Sequence, residues 1–475
     1  MMTPHERQLL ARIDRRGRWH SLGLVVVLVW LGVLTAAVFG QSQATYAAAR
    51  QDRLQFPQSE WGYLYYVTTD NLPDAKQLTA GRTAAFVISS FSTAVVLEQH
   101  LPVEVQRGLW RIDLRSLNWT WQDWHQVLKK YPYQPGRFPP LVVRADWLIQ
   151  ELSDNFESDA GYRLLYGGKN IPKTLQEFQK IWGVRVNNPE LALLHIENQS
   201  GVSLLHVRFL GNEEGRDRRR YWFTEDNAAR NFNAKTDPLE TLLDKNRPHD
   251  ASEHLVFFHK TSLVQGVGGK AMQTFLANGQ GERQDRAPVD IVVNSEQERG
   301  TPEIRNWISC TACHDQGLKE LTENGLRQLV ASGEELYADK KSQTLIEQQY
   351  LADTQLRIEL SRDQEDYVRF VALSTGWSPE ENVRAFKTAL SDYDAQLTLE
   401  DAARETYMTP RELTLALGYA SGKMKLGARL AGLPHGGTVA RPYWESQYHV
   451  AYEAATLWKT ATRWRGFCLL PWSAS

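Results

Sequence analysis

Two cysteines and a histidine, Cys310, Cys313 and His314, stand in the pattern C-x-x-C-H late in the chain. This pattern attaches a c-type haem: the two thiols bond to the two vinyl groups of the porphyrin, and the histidine binds the iron. The spacing suits one short helical turn, so the fold must provide that turn together with room for a flat cofactor. The sequence therefore predicts one covalent haem c with His314 as the proximal iron ligand.

Two other interpretations of the cysteine pair are weaker. A structural zinc site needs a second pair of ligands at a similar spacing, and the remaining cysteine is Cys468. A redox dithiol of the thioredoxin type lies between a strand and a helix of a βαβ unit, and that context is not evident here. If haem takes both motif thiols, Cys468 is left over and no intrachain disulfide is expected.

The chain is longer than a haem module requires. A c-type haem domain takes on the order of 100 residues, whereas this chain has 475. The formal net charge of −2 argues against nucleic acid as a partner. Most of the chain is therefore expected to have a role besides holding haem.

An uncharged apolar run, Leu22 to Gly40, follows an arginine-rich segment. The run is long enough to cross a bilayer, and the excess of arginine before it predicts that the rest of the chain is exported. A cleaved signal peptide, with Ser42-Gln43-Ala44 as the cleavage site, is the alternative, but the run is long for one. The prediction is a single-pass protein of the bacterial cytoplasmic membrane with its body in the periplasm.

Composition and periodicity predict an α+β fold in three parts: an N-terminal transmembrane helix, a mixed α/β domain and an all-α cytochrome c-like domain. No role is predicted for the mixed domain. The predicted segments are a basic cytoplasmic segment at 1–20, the anchor at 21–41, a tether at 42–58, the mixed domain at 59–295, the helical haem domain at 296–433 and a helical extension at 434–475.

Some secondary-structure elements have clear local signals. Leu109 to Leu114 reads as a strand and Trp121 to Tyr131 as an amphipathic helix. Ala84 to Leu97 is apolar, and its periodicity does not decide between helix and strand. Ser378-Pro379-Glu380-Glu381 and Thr409-Pro410-Arg411-Glu412 each combine an N-cap residue with a proline in the first turn, so a helix is predicted after each.

Short blocks between residues 105 and 450 carry a resemblance to a known family. The blocks are Arg111-Ile112-Asp113-Leu114-Arg115 with Trp119 and Trp124, Tyr131-Pro132-Tyr133, Arg144-Ala145-Asp146-Trp147, Gly201-Val202-Ser203, Tyr221-Trp222-Phe223, Asn278 to Val293, the haem motif, Tyr393, Ala402-Ala403 and Gly436-Gly437-Thr438-Val439. In this order they resemble uncharacterised single-haem c-type cytochromes of planctomycetes and proteobacteria. The segment from Leu152 to Gly183 departs from that pattern. The resemblance implies haem c and electron transfer, and it implies no substrate.

The group that faces His314 across the iron separates the possible functions, because a methionine, a second histidine and an open position give different chemistry. Met408 is the first candidate for this distal ligand, since Thr409-Pro410 resembles the loop that often carries such a methionine. Met424 is the second. Weaker candidates are His435, His449 and the upstream histidines His249, His254 and His259.

The predicted function is that of an exported, membrane-anchored cytochrome that passes single electrons to a redox partner protein, rather than that of an enzyme. Two alternatives remain open: a haem-based sensor with an open or displaceable sixth position, and a haem oxidoreductase with a pocket between domains. No Ser-His-Asp or paired-carboxylate arrangement can be assigned from spacing. The sequence identifies neither the partner nor the oligomeric state.

Overall fold

A computed structural model describes residues 43–133, 140–154, 159–166, 171–184, 190–194, 207–214, 220–227, 251–263, 268–289, 292–294, 301–318, 353–421 and 427–468. Contacts within the chain divide it into two units. The larger unit is Gln51–Tyr131 with Pro139–Ala395, and the smaller is Met1–Arg50 with Pro132–Phe138 and Gln396–Ser475. The haem motif belongs to the larger unit.

The larger unit begins within helix α1, whose last residues belong to it. It contains two sheets and the helices that pack on them. In chain order the elements are α1 Gln43–Arg53, β1 Leu64–Thr68, α2 Asp74–Phe91, α3 Leu97–His100, β2 Val103–Gln106, β3 Leu109–Asp113, α4 Trp121–Leu128, β4 Val142–Arg144, α5 Ala145–Asp154, α6 Asp159–Leu165, α7 Leu175–Trp182, β5 Glu190–Leu194, β6 Val207–Glu214, β7 Arg220–Asn227, β8 Ala251–Thr261, β9 Gly268–Asn278, β10 Arg283–Gln284, α8 Ile308–Cys313, α9 Asp353–Thr375 and α10 Pro379–Asp394.

The first sheet has four strands in the order β2-β3-β1-β4. Its inner strand β1 runs antiparallel to β3 and parallel to β4. All five residues of β1 are buried, as expected for a strand whose two faces are both covered. Helix α2 packs against α5, and α10 packs against both of them.

The second sheet is an antiparallel meander in the order β10-β9-β8-β7-β6-β5. Its long strands β8 and β9 pair along their whole length, from Ala251 opposite Asn278 to Thr261 opposite Gly268. Helix α9 lies across β9 at very close range, because a Cβ atom on Gly269 would come within 2.5 Å of the Phe370 backbone nitrogen. The haem motif lies against the same sheet, through Cys310.

Buried charges join helix α9 to this sheet. The Asp363 carboxylate accepts hydrogen bonds from Lys270 Nζ on β9 and from Trp222 Nε1 on β7, each at 2.7 Å. Arg220 on β7 pairs with Glu359 one turn earlier on the helix. Paired charges of this kind satisfy groups that would be costly to bury alone. They therefore fix where the helix lies along the strands.

The smaller unit is helical in its described part, with α11 Leu399–Glu405, α12 Pro410–Ser421, α13 Ala428–Gly432 and α14 Arg441–Cys468. Helices α12 and α14 pack together. Glu405, at the end of α11, accepts hydrogen bonds from Arg441 Nη1 at 2.7 Å and from Trp444 Nε1 at 2.5 Å, both at the start of α14. All three side chains are buried, so this cluster connects α11 with α14.

A capping box begins α11, and it gives a testable stability prediction. Thr398 Oγ1 accepts from the Asp401 backbone nitrogen, and the Asp401 side chain accepts from the Thr398 backbone nitrogen. We expect Thr398→Ala to lower the free energy of unfolding by about 1 kcal/mol in urea titrations. Thr414→Ala, a matched change inside α12, should have a smaller effect because the Thr414 hydroxyl caps no helix start.

The same box predicts a pH dependence. Burial raises the pKa of Asp401, but hydrogen bonds from Thr398 and Arg404 outweigh it, so the pKa lies below its ordinary value. A carboxyl group with a lowered folded-state pKa stabilises the fold above its unfolded pKa, and this stabilisation is lost as the pH falls through the lowered value. The difference in unfolding free energy between wild type and Thr398→Ala should therefore become smaller at acid pH. A difference in unfolding free energy that grows below the ordinary aspartate pKa, about 4, would contradict this account.

The predicted fold class is correct in one part and wrong in another. The mixed α/β architecture is confirmed, but the transmembrane part of the predicted fold is not: no helix in the described ranges is long and apolar enough to cross a membrane. Even the longest of them, α14, carries charged side chains, which a bilayer interior disfavours. Residues 21–41, on which that prediction rested, lie outside the described ranges.

The division of the chain also differs from the predicted segments. Helices α9 and α10 were expected in a separate helical domain from 296 to 433, yet they belong to the larger unit with both sheets. The reason is the buried pairing of α9 with β7 and β9. The predicted tether at 42–58 contains helix α1, whose Asp52 binds Arg111 of β3 at 2.8 Å.

Candidate functional site

The two motif cysteines lie on helix α8, which consists of a single short stretch of six residues. The backbone nitrogen of His314 donates to the Cys310 carbonyl at 2.7 Å, which closes the helical turn directly before the histidine. Neither Cys310 nor Cys313 is in a disulfide. One turn of helix thus presents both thiols and then the imidazole, as the sequence pattern predicts.

Hydrogen bonds hold the chain where it enters this helix. Asn306 is fully buried: its Oδ1 accepts from Thr274 Oγ1 at 2.8 Å, and its Nδ2 donates to Tyr162 Oη at 3.3 Å. Its backbone nitrogen donates to the Asp285 carbonyl at 3.0 Å. The Ser309 hydroxyl accepts from the Arg305 backbone nitrogen at 3.0 Å. The motif therefore begins from a fixed point on the second sheet.

Trp307, the residue before the helix, has an unusual backbone conformation with φ of 65°. A positive φ in a bulky residue costs on the order of 1–3 kcal/mol and persists only where the surroundings enforce it. The surroundings here are the rings of Phe91 at 4.7 Å, Phe386 at 5.8 Å and Phe86 at 6.5 Å between centroids. This packing clamps α8 to α2 and α10 and sets the direction in which the helix starts.

The His314 ring is oriented by a backbone carbonyl. Its Nδ1 lies 2.9 Å from the Gly317 oxygen, and because a carbonyl only accepts, Nδ1 must carry the proton. Gly317 has a φ of +90°, which favours glycine. A Cβ atom added to it would also lie only 3.3 Å from the backbone of α9, so only glycine suits this turn. In a neutral ring the lone pair is then on Nε2, which is the arrangement of a metal-binding histidine.

Cys310 lies in an apolar cluster on the sheet. It is 2% exposed, among Ala251 of β8, Leu276 of β9, Ala287, Val292 and Ile304. Burial, with the nearby Glu253 carboxylate, raises the pKa of the Cys310 thiol well above its ordinary value. The thiol therefore stays protonated at neutral pH. Cys313, three residues later, is partly exposed.

Glu253 on β8 contacts both ends of the motif. Its carboxylate accepts a hydrogen bond from the Cys310 thiol, and its Oε2 lies 3.7 Å from His314 Nε2. The Glu253 side chain is 13% exposed. It lies on the same face of β8 as Ala251, two residues earlier, because side chains in a strand alternate between faces. A carboxylate therefore stands opposite the nitrogen that would bind iron.

These residues fit the donor set of a c-type haem. Two thiols on one turn and a histidine with a fixed proton position are what the covalent cofactor requires. Apolar side chains enclose Cys310 more closely than an attached haem would allow. Attachment would require those side chains to separate, with the partly exposed Cys313 on the open side.

The structure gives no support to the two other interpretations of the cysteine pair. No group of three or more histidine, cysteine, aspartate or glutamate side chains within the described ranges is arranged to hold a metal ion. Among the described residues, the strand before the motif is β10, which pairs antiparallel with β9, so the described part shows no βαβ unit around the motif. A buried thiol with a raised pKa is also a poor nucleophile, so dithiol exchange is disfavoured.

Comparison of the chain with family models, with curated proteins and with solved structures finds no match. The resemblance to single-haem cytochromes therefore stays an expectation. Function has to be argued from the site itself.

The predicted distal ligands are distributed over both units. Met408 belongs to the smaller unit and is 7% exposed. His435 and His449 are exposed residues of that unit, on a 3₁₀ turn and on α14. Met424 and His249 lie outside the described ranges. As iron ligands, all of these stay predictions.

Of the upstream histidines, His254 is on the face of β8 opposite to Glu253. Its Nδ1 lies 2.6 Å from Tyr221 Oη and its Nε2 lies 2.8 Å from Ser252 Oγ, so both ring nitrogens are engaged. His259, on the same strand, is partly buried. Strand β8 does reach the motif, as the prediction of an upstream ligand requires, but it does so through Glu253.

Glu253 is the site residue that the sequence interpretation missed. One signal was present: Glu253 is an acidic residue in a strand that is otherwise largely apolar and buried. An inward-facing carboxylate is costly unless it has a partner. Nothing in the spacing connects it with His314, because the contact depends on how the helix lies on the sheet.

Proposed function

We propose that this protein is a c-type cytochrome that carries one covalent haem on Cys310 and Cys313 and transfers single electrons. The observation that supports this best is the His314 hydrogen bond to Gly317. It fixes the proton on Nδ1 and leaves Nε2 to bind iron, beside two thiols on the same helical turn. A haem held by these residues would supply one-electron chemistry at its iron.

The residues of the chain have distinct tasks in this proposal. Cys310 and Cys313 would hold the cofactor by thioether bonds, and His314 would bind its iron. Trp307, through its ring contacts, and Gly317, through its hydrogen bond to His314, hold the motif in one position.

Haem content tests the proposal directly. We expect the full chain, expressed with a c-type haem maturation system, to retain haem on a denaturing gel and to contain one haem per chain by the pyridine haemochrome assay. The same chain expressed without that system is the control and should carry none. Haem that is lost on denaturation, or a chain without haem in both hosts, would contradict the proposal.

The compartment and the partner protein stay predictions. Export was inferred from residues 1–41, and the structure does not describe them. A redox partner protein follows from the proposal, because a single-electron carrier needs a donor and an acceptor.

A further inference from the structure

Glu253 engages two groups of the motif that haem attachment uses. Its carboxylate accepts a hydrogen bond from the Cys310 thiol, and its Oε2 lies 3.7 Å from His314 Nε2, where it forms an ion pair when the ring is protonated. In the proposed function the same thiol becomes a thioether and the same nitrogen binds iron. One carboxylate therefore holds both groups.

Neither contact is compatible with an attached haem. When the Cys310 thiol adds to a vinyl group, a sulfur–carbon bond forms and the thiol hydrogen passes to the other vinyl carbon, so no electrons are gained or lost overall. A thioether sulfur has no hydrogen to donate, and the hydrogen bond to Glu253 is lost. A metal-bound His314 Nε2 carries no proton, so the ion pair is lost as well.

Glu253 is held by its strand, so only its side chain is able to respond. The residue lies in the interior of β8, paired with Thr224 of β7 on one side and with Leu276 of β9 on the other. Its side chain is 13% exposed, and a largely buried carboxylate that loses polar contacts is costly to leave in place. Attachment therefore requires rotation of this side chain toward water, without a shift of the sheet.

We propose that Glu253 opposes haem attachment: it holds Cys310 and His314 in their present positions until its side chain is displaced. This inference rests on the proposed function. It predicts an unusual sign for a variant, because removal of Glu253 should accelerate attachment. Removal of a residue that merely supports the motif would slow attachment instead.

Access to the Cys310 thiol is the first measurement. The full chain is expressed without a haem maturation system, and labelling by iodoacetamide is followed by mass spectrometry at Cys310, with the partly exposed Cys313 as the internal reference. Glu253→Ala should raise the Cys310 rate on the order of tenfold, because a hydrogen bond to a charged group is lost. Glu253→Gln, which keeps the volume and an acceptor, should raise it less. Equal Cys310 rates in wild type and both variants would overturn the proposal.

The rate of attachment is the second measurement. The full chain is expressed with the maturation system for short periods, and the fraction of chains that carry the mass of haem is followed with time. Both Glu253 variants should gain haem faster than wild type. Glu282→Gln, which changes an exposed carboxylate of the same unit, should match wild type.

A second control separates release of the motif from general weakening of the sheet. Ser252→Ala removes a buried hydroxyl whose oxygen lies 2.8 Å from His254 Nε2, on the opposite face of β8. It should leave both the labelling rate and the attachment rate near those of wild type. Acceleration equal to that of the Glu253 variants would overturn the proposal.

Failure of this inference and failure of the proposed function have different signatures. A wild type that acquires haem, with Glu253 variants that acquire it at the same rate or more slowly, would overturn the role of Glu253 and leave the cytochrome standing. A wild type without covalent haem would contradict the proposed function, and the labelling rates would still show whether Glu253 restricts access to Cys310. If Glu253→Ala does not fold by circular dichroism, Glu253→Gln decides both measurements.

Discussion

Replacing Cys310 and Cys313 together by serine is expected to abolish covalent haem. A serine hydroxyl does not form the thioether bond, so any haem that His314 still binds would dissociate on denaturation. Each single variant keeps one thiol and should retain haem through one bond. Haem-stained denaturing gels and intact-mass measurements check both statements, because a covalent haem adds its mass to the chain.

The two single variants are not expected to behave alike. Cys310 is 2% exposed in an apolar cluster, whereas Cys313 is partly exposed. Serine at the buried position places a hydroxyl among apolar side chains, so Cys310→Ser should also lower the thermal midpoint of unfolding, and Cys313→Ser should lower it less. Cys468→Ser is the matched control and should keep the full haem content. A haem band that survives in the double variant would show that attachment does not use these thiols.

Local signals in the sequence predicted several elements well. Ser378-Pro379 and Thr409-Pro410 begin helices α10 and α12 as expected, with the proline as the first helical residue, since these residues satisfy the first helical turn without help from the rest of the fold. The strand predicted at Leu109 to Leu114 is β3, one residue shorter. Such elements are predictable because neighbouring residues alone determine them.

Elements shaped by their surroundings were not predictable in this way. The sequence from Ala84 to Leu97 does not decide between helix and strand. In the structure helix α2 extends as far as Phe91, and ten residues of this helix are buried. A helix covered on most sides has no polar face, so it has no periodicity for the sequence to show. Helix α9 was assigned to a separate haem domain for a related reason: its attachment to the sheet depends on charge pairs with strands far away in sequence.

The candidate site likewise has one part that the local sequence predicts and another part that it does not. Its covalent part, Cys310 to His314, is contiguous and could be recognised from five residues. Its supporting part comes from distant segments: Glu253 from β8, Gly317 from the turn after the motif, and the rings around Trp307 from α2 and α10. These contacts require the sheet register and helix packing, which no local pattern encodes.

Removing the Asp363 side chain is expected to cause a large loss of stability in the larger unit. Asp363 is 1% exposed and accepts from both Lys270 Nζ and Trp222 Nε1. Asp363→Ala would leave a buried ammonium group and a buried indole N–H with one partner fewer. Breaking a buried ion pair by removing one member costs about 3–5 kcal/mol, because the remaining charge stays desolvated. Urea titration followed by tryptophan fluorescence and circular dichroism measures the loss.

Asp366→Ala is the matched control, because Asp366 lies one turn later on α9 and contacts the same lysine at 3.2 Å. Its side chain is 26% exposed, so water replaces much of what the carboxylate provides, and the expected loss is below about 1 kcal/mol. Equal losses in the two variants would mean that attraction to Lys270 alone matters and burial does not. A large loss for Asp363→Ala with a small one for Asp366→Ala would instead place the join between α9 and the sheet at the buried carboxylate, the same join that assigns this helix to the unit of the haem motif.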